Sequence, residues 1–277
     1  FDDLPFVGAM PDGRGRSEAT GRLLEQLTAR RILATGFVVC RSLAAGTQGA
    51  PAQTAIVRQW MAAGMQLANH TERHRAIDSI GPALWRDSVE GCRDTLVGLG
   101  AGPVRWFRYP YLQRGRSAAR RDASRAVLAE LSHEVAPVTI DTADWRIVGA
   151  YVAALDAGDS ERADELAAGY VAHGVEATRL FQRVARARVG RDVAHVLLLH
   201  ANVLAADHIG AFVDALAAEG AEFITLDEAM RDPVYARPDD YVGRLGVSWL
   251  YRFAPAATEF EFDEVLVPRM RHTLRLE

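Results

Sequence analysis

Segments with a helical pattern of apolar residues alternate with short, almost continuously apolar segments along most of the chain. Leu23, Leu24 and Leu27 share one face of a predicted helix, whereas the run 36–40 is apolar at nearly every position. Continuous apolar runs of this length are typical of strands that are covered on both faces. Their alternation with helices predicts an α/β fold built on a parallel sheet.

The predicted strands cover residues 36–40, 65–69, 104–109, 134–140, 194–199 and 222–226. The predicted helices cover residues 17–31, 52–63, 84–99, 117–132 and 207–219. A strand before Asp2 would bring the number of strands to seven. We expect one barrel domain at 1–231, with a mostly helical insertion at about 146–190. An irregular tail at 232–277 is expected to pack on the barrel through aromatic residues, which are Trp249, Tyr251, Phe253, Phe260 and Phe262.

Polar residues that suit catalysis lie at or just past the carboxyl ends of the predicted strands. These residues are Asp2, Asp3, His70, Arg108, Asp141 and His200. In an α/β barrel the carboxyl ends of the strands converge on one mouth, where active sites are built. We therefore expect these scattered stretches to meet at a single site.

An acidic pair, Asp2-Asp3, and two histidines four residues apart, His70 and His74, are the strongest candidates for a metal site. Histidines at this spacing can chelate one ion. Two histidines and one carboxylate leave a fourth tetrahedral position open for water, as in catalytic zinc sites. Alone, an acidic pair more often caps a helix or faces solvent. The spacing of the two histidines could likewise be a coincidence between surface residues. Together they predict a metal-assisted hydrolase in which the second carboxylate accepts a proton.

Two further stretches follow predicted strands. Arg108 is either an exposed strand end or a partner that keeps Asp2 ionised, and the Tyr111 N–H could face a developing oxyanion. The stretch from Asp141 to Asp144 resembles a turn and a helix N-cap when taken alone. His200 alone resembles a satisfied core histidine, but a nearby aspartate could hold it protonated as a general acid. The remaining histidines are interpreted as surface or core residues: His133, His173, His195, His208 and His272.

Composition excludes several classes of protein. The formal net charge is −4 and the pI is about 6.1, with no basic stripe that would bind nucleic acid. No apolar run reaches the ~20 residues that span a bilayer. Cys40 and Cys92 are far apart and lack CxxC spacing, which argues against a thiolate metal site. A disulfide is one interpretation; two separate, buried apolar residues is the favoured one.

The ordered set of motifs closely resembles the polysaccharide deacetylase family, carbohydrate esterase family 4. The motifs in this chain are Phe1-Asp2-Asp3, His70-Thr71-Glu72-Arg73-His74, Arg108-Tyr109-Pro110-Tyr111, Asp141-Thr142-Ala143-Asp144-Trp145 and Leu197-Leu198-Leu199-His200. The resemblance spans residues 1 to about 230. It implies a distorted (β/α)7 barrel and hydrolytic deacetylation of a carbohydrate, usually at an N-acetyl group.

The resemblance also implies roles for single residues. Asp3, His70 and His74 would bind a divalent metal. Two histidines and a carboxylate suit zinc, but cobalt, nickel or manganese could also bind. Asp2 would be the catalytic base, oriented by Arg108. The Tyr111 N–H would contribute to the oxyanion hole. His200 would be the acid, tuned by Asp141 (the first choice) or Asp144. Trp145 and Leu198 would line the pocket for the acetyl methyl group.

Departures from the family pattern concern the substrate more than the chemistry. Leu4 stands where a glycine is usual, and Ala201-Asn202 follow His200 where an aspartate is frequent. We expect an acetylated glycan as the substrate. An O-acetyl ester, a formyl group or a cyclic amide on the same scaffold is the alternative, and a non-catalytic carbohydrate-binding protein is a third.

Family members are commonly exported, so the resemblance implies a periplasmic or extracellular location. The chain carries no signal peptide, but it begins abruptly on a motif. We therefore expect residues upstream of Phe1 that are not included. The oligomeric state is left open.

Overall fold

The computed structural model describes residues 1–11, 13–243, 246, 248–252 and 262–276. The strands are β1 (Thr35–Val38), β2 (Gln66–Asn69), β3 (Trp106–Phe107), β4 (Glu134–Val135), β5 (Ile140–Asp141) and β6 (Leu197–Leu198). The helices are α1 (Arg16–Ala29), α2 (Ala50–Ala62), α3 (Pro82–Gly98), α4 (Ala118–Glu130), α5 (Trp145–Asp156), α6 (Ser160–Val189), α7 (Val203–Ala218), α8 (Leu226–Ala229) and α9 (Val267–Thr273).

All paired strands are parallel. One sheet has the order β1-β2-β3-β4, and a second sheet pairs β5 with β6. The N-terminal residues join the two sheets, because Asp2 is bridged to His200 and Leu4 to Val38. β4 and β5 lie on one stretch, 134–141, so this stretch contributes to both sheets. The predicted α/β class with parallel strands is confirmed.

The N-terminal segment lies very close to β1. A Cβ atom on Gly36 would lie only 2.4 Å from Leu4 Cδ2, so no larger residue fits there without displacing Leu4. The Leu4 N–H donates to the Phe37 carbonyl at 3.0 Å, and the Asp2 N–H donates to the Leu199 carbonyl at 2.8 Å. These contacts hold the first motif between β1 and β6.

One predicted strand is wrong. Residues 222–225 form no regular strand pairs, and Leu226 begins α8 instead. The Thr225 hydroxyl accepts from the Glu228 N–H while the Glu228 carboxylate accepts from the Thr225 N–H, which is a capping box. The capping box starts a helix at Leu226, although the apolar pair Phe223-Ile224 favours a strand.

The predicted helical insertion consists of two helices, α5 and α6, that pack against each other and against α7. Helix α6 buries Leu166, Tyr170 and Phe181, as the sequence pattern predicts. In the tail, Trp249, Tyr251 and Phe262 are buried, whereas Phe253 and Phe260 lie outside the described residues. Within the described ranges, none of the helices has the length and hydropathy to cross a membrane.

The favoured interpretation of the cysteines is wrong, because Cys40 and Cys92 form a disulfide. Cys40 follows β1, and Cys92 lies on the buried face of α3. Their Cα atoms are 5.2 Å apart although 52 positions separate them in the chain. Both residues are buried, as that interpretation expected, but it did not foresee that two elements so distant in sequence come within bonding range.

Replacing both Cys40 and Cys92 with alanine should lower the free energy of unfolding by about 2–4 kcal/mol, because the bond closes a long loop in the unfolded chain. Urea denaturation of the oxidised wild-type protein and of the variant measures this difference. The wild-type protein under reducing conditions is the control and should lose a similar amount. Two titratable thiols in the unfolded, unreduced protein would show that the bond does not form.

Candidate active site

The predicted site residues converge at the carboxyl ends of the strands. Asp2 and Asp3 lie on the segment between β1 and β6, and His70 directly follows β2. Arg108 follows β3, and His200 lies two residues past β6. Asp144 immediately precedes α5 and meets these residues at the same mouth.

Asp3, His70 and His74 bring three metal-ligating atoms within 4.8 Å of one another. Asp3 Oδ1 lies 3.5 Å from His70 Nε2 and 3.2 Å from His74 Nε2. His70 Nδ1 lies 2.8 Å from the Arg108 carbonyl oxygen, so Nδ1 carries the proton and the lone pair of Nε2 faces Asp3. Buried Asp3 Oδ1 has no hydrogen-bond donor among the described residues. An unpaired carboxylate oxygen that faces imidazole lone pairs fits a divalent cation.

Electrostatics also favours the ligand forms of these groups. Burial alone would raise the pKa of Asp3, but the imidazoles of His70, His74 and His200, which attract the carboxylate in their protonated forms, outweigh burial and hold the pKa well below its ordinary value. Burial, and then the neighbouring His70, lowers the pKa of His74 to about 4. A carboxylate and a neutral imidazole are the forms that bind a metal.

Asp2 and Arg108 form a buried ion pair. Arg108 Nη1 donates to Asp2 Oδ1 at 2.7 Å, and Arg108 Nε donates to the Ala136 carbonyl at 3.2 Å. The guanidinium carbon also lies 3.9 Å from the centre of the Phe37 ring. Burial would raise the pKa of Asp2, but Arg108 in particular lowers the pKa below its ordinary value. Asp2 is therefore an ionised carboxylate whose position is fixed by Arg108.

His200 is paired with Asp144. His200 Nδ1 lies 2.7 Å from Asp144 Oδ1, and the His200 N–H donates to Asp144 Oδ2 at 2.9 Å. Burial would lower the pKa of His200, but Asp144 outweighs it, with smaller contributions from Asp2 and Asp3, and the pKa rises to about 9. The ring therefore carries a proton at neutral pH.

The first choice of partner for His200, Asp141, is corrected by this geometry. Asp141 Oδ1 accepts from the Ala143 N–H at 2.8 Å, and burial raises the pKa of Asp141 to about 6. Asp144 stands at the N-cap position of α5, as the sequence suggests, but its side chain does not cap the helix. It bonds His200 instead, because Ala143 (φ 50°) turns the chain back toward the mouth.

The three residues assigned to the oxyanion and the acetyl pocket differ in exposure. The Tyr111 ring is 56% exposed and its centre lies 4.5 Å from that of His74. Trp145 is half-exposed at the start of α5, whereas Leu198 is buried in β6. Their roles toward an acetyl group stay predictions.

Strained backbone is concentrated in the motifs. Of the nine described non-glycine residues with positive φ, five belong to the motifs: Asp3, Thr71, His74, Tyr111 and Ala143. A non-glycine residue in this region costs about 1 kcal/mol or more, and such residues cluster at active sites. The Thr71 hydroxyl accepts from the His74 N–H at 3.1 Å, as expected for a residue that fixes the local geometry.

Asn69 supports the site, although no sequence pattern singles it out. It is fully buried, and its Oδ1 accepts from the Thr71 N–H at 2.8 Å. Its Nδ2 donates to the Val89 carbonyl at 2.8 Å and lies 3.1 Å from His133 Nε2. Asn69 therefore supports the turn that carries the two histidines. The available signal was an amide side chain at the end of an otherwise apolar strand.

Comparison with known proteins agrees with this arrangement. The family model described as polysaccharide deacetylase matches residues 1–132. No curated protein sequence matches the chain. The resemblance to the polysaccharide deacetylase family is therefore confirmed over residues 1–132.

Solved structures share the fold at low sequence identity. A family 4 carbohydrate esterase from Streptomyces lividans, in complex with acetate, is 23% identical with a TM-score of 0.52, covering 83% of this chain and 92% of that chain. The peptidoglycan deacetylase PdaC from Bacillus subtilis is 17% identical with a TM-score of 0.51, covering 83% and 89%. A family 4 pseudoenzyme from Bacillus anthracis is 15% identical with a TM-score of 0.53, covering 81% and 65%.

Adding Zn²⁺ to the metal-free protein at a hundred times its Kd should raise the free energy of unfolding by about 2.7 kcal/mol, because the cation binds the folded state. Asp3→Ala should abolish this stabilisation, since it removes the carboxylate between the two imidazoles. Thermal unfolding with and without Zn²⁺ measures the effect. Asp240→Ala is the control, because the Asp240 side chain is 87% exposed. An undiminished Zn²⁺ effect in Asp3→Ala would disprove the ligand assignment.

Proposed function

We propose that this protein is a divalent-metal-dependent deacetylase that hydrolyses N-acetyl groups of an amino-sugar polymer or oligomer. The observation that carries the proposal is the meeting of three arrangements at one mouth. They are a carboxylate between two imidazoles, an arginine-paired carboxylate and an aspartate-paired histidine. Each arrangement supplies a different requirement of amide hydrolysis.

Asp3, His70 and His74 would hold the metal, and the two nitrogens and one oxygen suit zinc best, with cobalt, nickel or manganese as alternatives. When bound, the metal supplies Lewis-acid polarisation of the acetyl carbonyl and lowers the pKa of water. Asp2 then accepts the proton of the attacking water, since Arg108 keeps its carboxylate ionised. The water oxygen bonds to the acetyl carbon.

The other residues act on the oxyanion and the leaving group. The Tyr111 N–H has no acceptor among the described residues and donates to the developing oxyanion. His200 donates its proton to the sugar nitrogen as the carbon–nitrogen bond breaks, and acetate leaves. Asp144 keeps His200 protonated until that step. Asp2 as base and His200 as acid work at one pH because their environments move their pKa values in opposite directions.

We propose a periplasmic or extracellular location. The Cys40–Cys92 disulfide supports it, because disulfides persist in oxidising compartments and are rare in the cytosol. Acetylated glycans of the cell wall or its surroundings carry the acetyl groups on which the proposed deacetylation would act.

Asp2→Asn should lower kcat by about 10²- to 10⁴-fold, because the base is lost. Zn²⁺ affinity should change little, since Asp3 and both histidines remain. Acetate release from an N-acetylated chitooligosaccharide, with metal content measured in parallel, tests both statements. Full activity of the variant would refute the base assignment. Acetylxylan and a formamide are assayed in the same way. Hydrolysis of acetylxylan alone would favour an O-acetyl ester as the substrate bond, and hydrolysis of the formamide alone would favour a formyl group.

The basic limb of the pH profile of kcat/KM should move to lower pH in Asp144→Asn. His200 must be protonated to act as an acid, so activity falls as pH rises through its pKa of about 9. Without the Asp144 carboxylate, burial prevails and the pKa of His200 falls. Asp141→Asn is the matched control and should move the limb less, because Asp141 bonds the Ala143 N–H. If the basic limb of the pH profile does not move in Asp144→Asn, the assignment of His200 as the acid is wrong.

A further inference from the structure

The C-terminal tail contacts the loop that carries Tyr111, which we define as the Tyr111 loop, residues 109–115. Arg252 Nη2 donates to the Leu112 carbonyl at 2.9 Å, and the Gly243 N–H donates to the Gly115 carbonyl at 3.3 Å. The same part of the tail is tied to the barrel wall, because the Trp249 N–H donates to the Val138 carbonyl at 2.6 Å. All of these tail residues lie beyond the residues that the family model matches.

Asp239 organises the arginines behind this loop. Its carboxylate is buried and accepts from Arg114 Nη1 at 2.6 Å and from Arg252 Nη1 at 3.3 and 3.4 Å. Arg125 Nη2 donates to the Asp239 carbonyl oxygen. One carboxylate thus faces two buried guanidiniums and a third, partly exposed one. Removing its charge would leave Arg114 and Arg252 to repel each other in a dry environment.

Gly246 makes a second, uncharged contact with the loop. A Cβ atom at this position would lie 1.6 Å from the Tyr111 carbonyl oxygen, so the glycine backbone lies directly against that carbonyl. Any larger residue must displace either Tyr111 or the tail.

The Tyr111 loop needs such support because its backbone is strained. Tyr111 and Leu112 are consecutive non-glycine residues with left-handed φ values of 57° and 55°. Each costs about 1 kcal/mol or more, and such conformations persist only where the surroundings hold them. The tail contacts the carbonyl group of both residues, through Gly246 and Arg252 respectively.

We propose that Asp239, acting through Arg252 and together with Gly246, is a positioning residue that fixes the direction of the Tyr111 N–H. The tail is then part of the active site, although none of its described residues supplies a group to the chemistry. The inference rests on the proposed function in one respect, which is the role of that N–H toward the oxyanion.

Hydrogen exchange of the zinc-loaded full chain tests the positioning without reference to activity. Amides in peptides that cover 108–116 should exchange at least 10-fold faster in Asp239→Asn than in the wild-type protein. Gly246→Ala should show the same effect and leaves no buried charge unpaired. Asp240→Asn is the matched control and should change nothing, because its side chain is 87% exposed. Unchanged exchange in both test variants would overturn the proposal.

Acetate release from an N-acetylated chitooligosaccharide tests the consequence. Displacing an oxyanion donor should lower kcat by about 10- to 10²-fold. KM and Zn²⁺ affinity should change less than 3-fold, which general destabilisation of the mouth would not produce. Faster exchange with undiminished kcat, or a parallel loss of Zn²⁺ affinity, would overturn the proposal. A wild-type protein that releases no acetate overturns the proposed function instead, and the exchange experiment still decides whether Asp239 holds the loop.

Discussion

Two adjacent carboxylates with different partners, Arg108 for Asp2 and two imidazoles for Asp3, constrain the whole mouth at the carboxyl ends of the strands. Neighbouring side chains on an extended strand point to opposite faces. Asp2 Oδ2 and Asp3 Oδ1 nevertheless lie 3.8 and 3.5 Å from the same atom, His70 Nε2. The left-handed backbone at Asp3, with a φ of 61°, makes this possible. Arg108 contacts Asp2, and both imidazoles contact Asp3, at this departure from strand geometry.

Arg108 joins the two halves of that arrangement. Its guanidinium holds the Asp2 carboxylate, and its carbonyl oxygen accepts from His70 Nδ1. Asp2 and His70 therefore cannot move independently of β3. Asn69 adds a further link, because it precedes His70 and bonds the Thr71 N–H that follows it. Backbone and side-chain bonds from neighbouring strand ends together fix distances that no single loop could fix.

The location of the mouth was predictable because it follows from a general property of parallel strands: their carboxyl ends meet. The partner of His200 was not, since Asp141 and Asp144 follow the same strand and the choice depends on the backbone at Ala143. Periodicity placed Cys92 on the inner face of α3 with Val89 and Leu96, but not opposite Cys40. Asp239 gave no signal at all, because two of its three arginine partners, Arg114 and Arg125, lie 125 and 114 positions away in the chain.

The left-handed residues of the motifs have a consequence for the freedom of the mouth. Glycine would adopt these backbone angles without strain, yet the chain has Asp3, Thr71, His74, Tyr111 and Ala143 there. A glycine samples many more conformations than a residue with a side chain, both before and after folding. The non-glycine residues cost local strain, but they leave each turn fewer backbone conformations. The positions of the side chains at the mouth therefore vary less from one molecule to another.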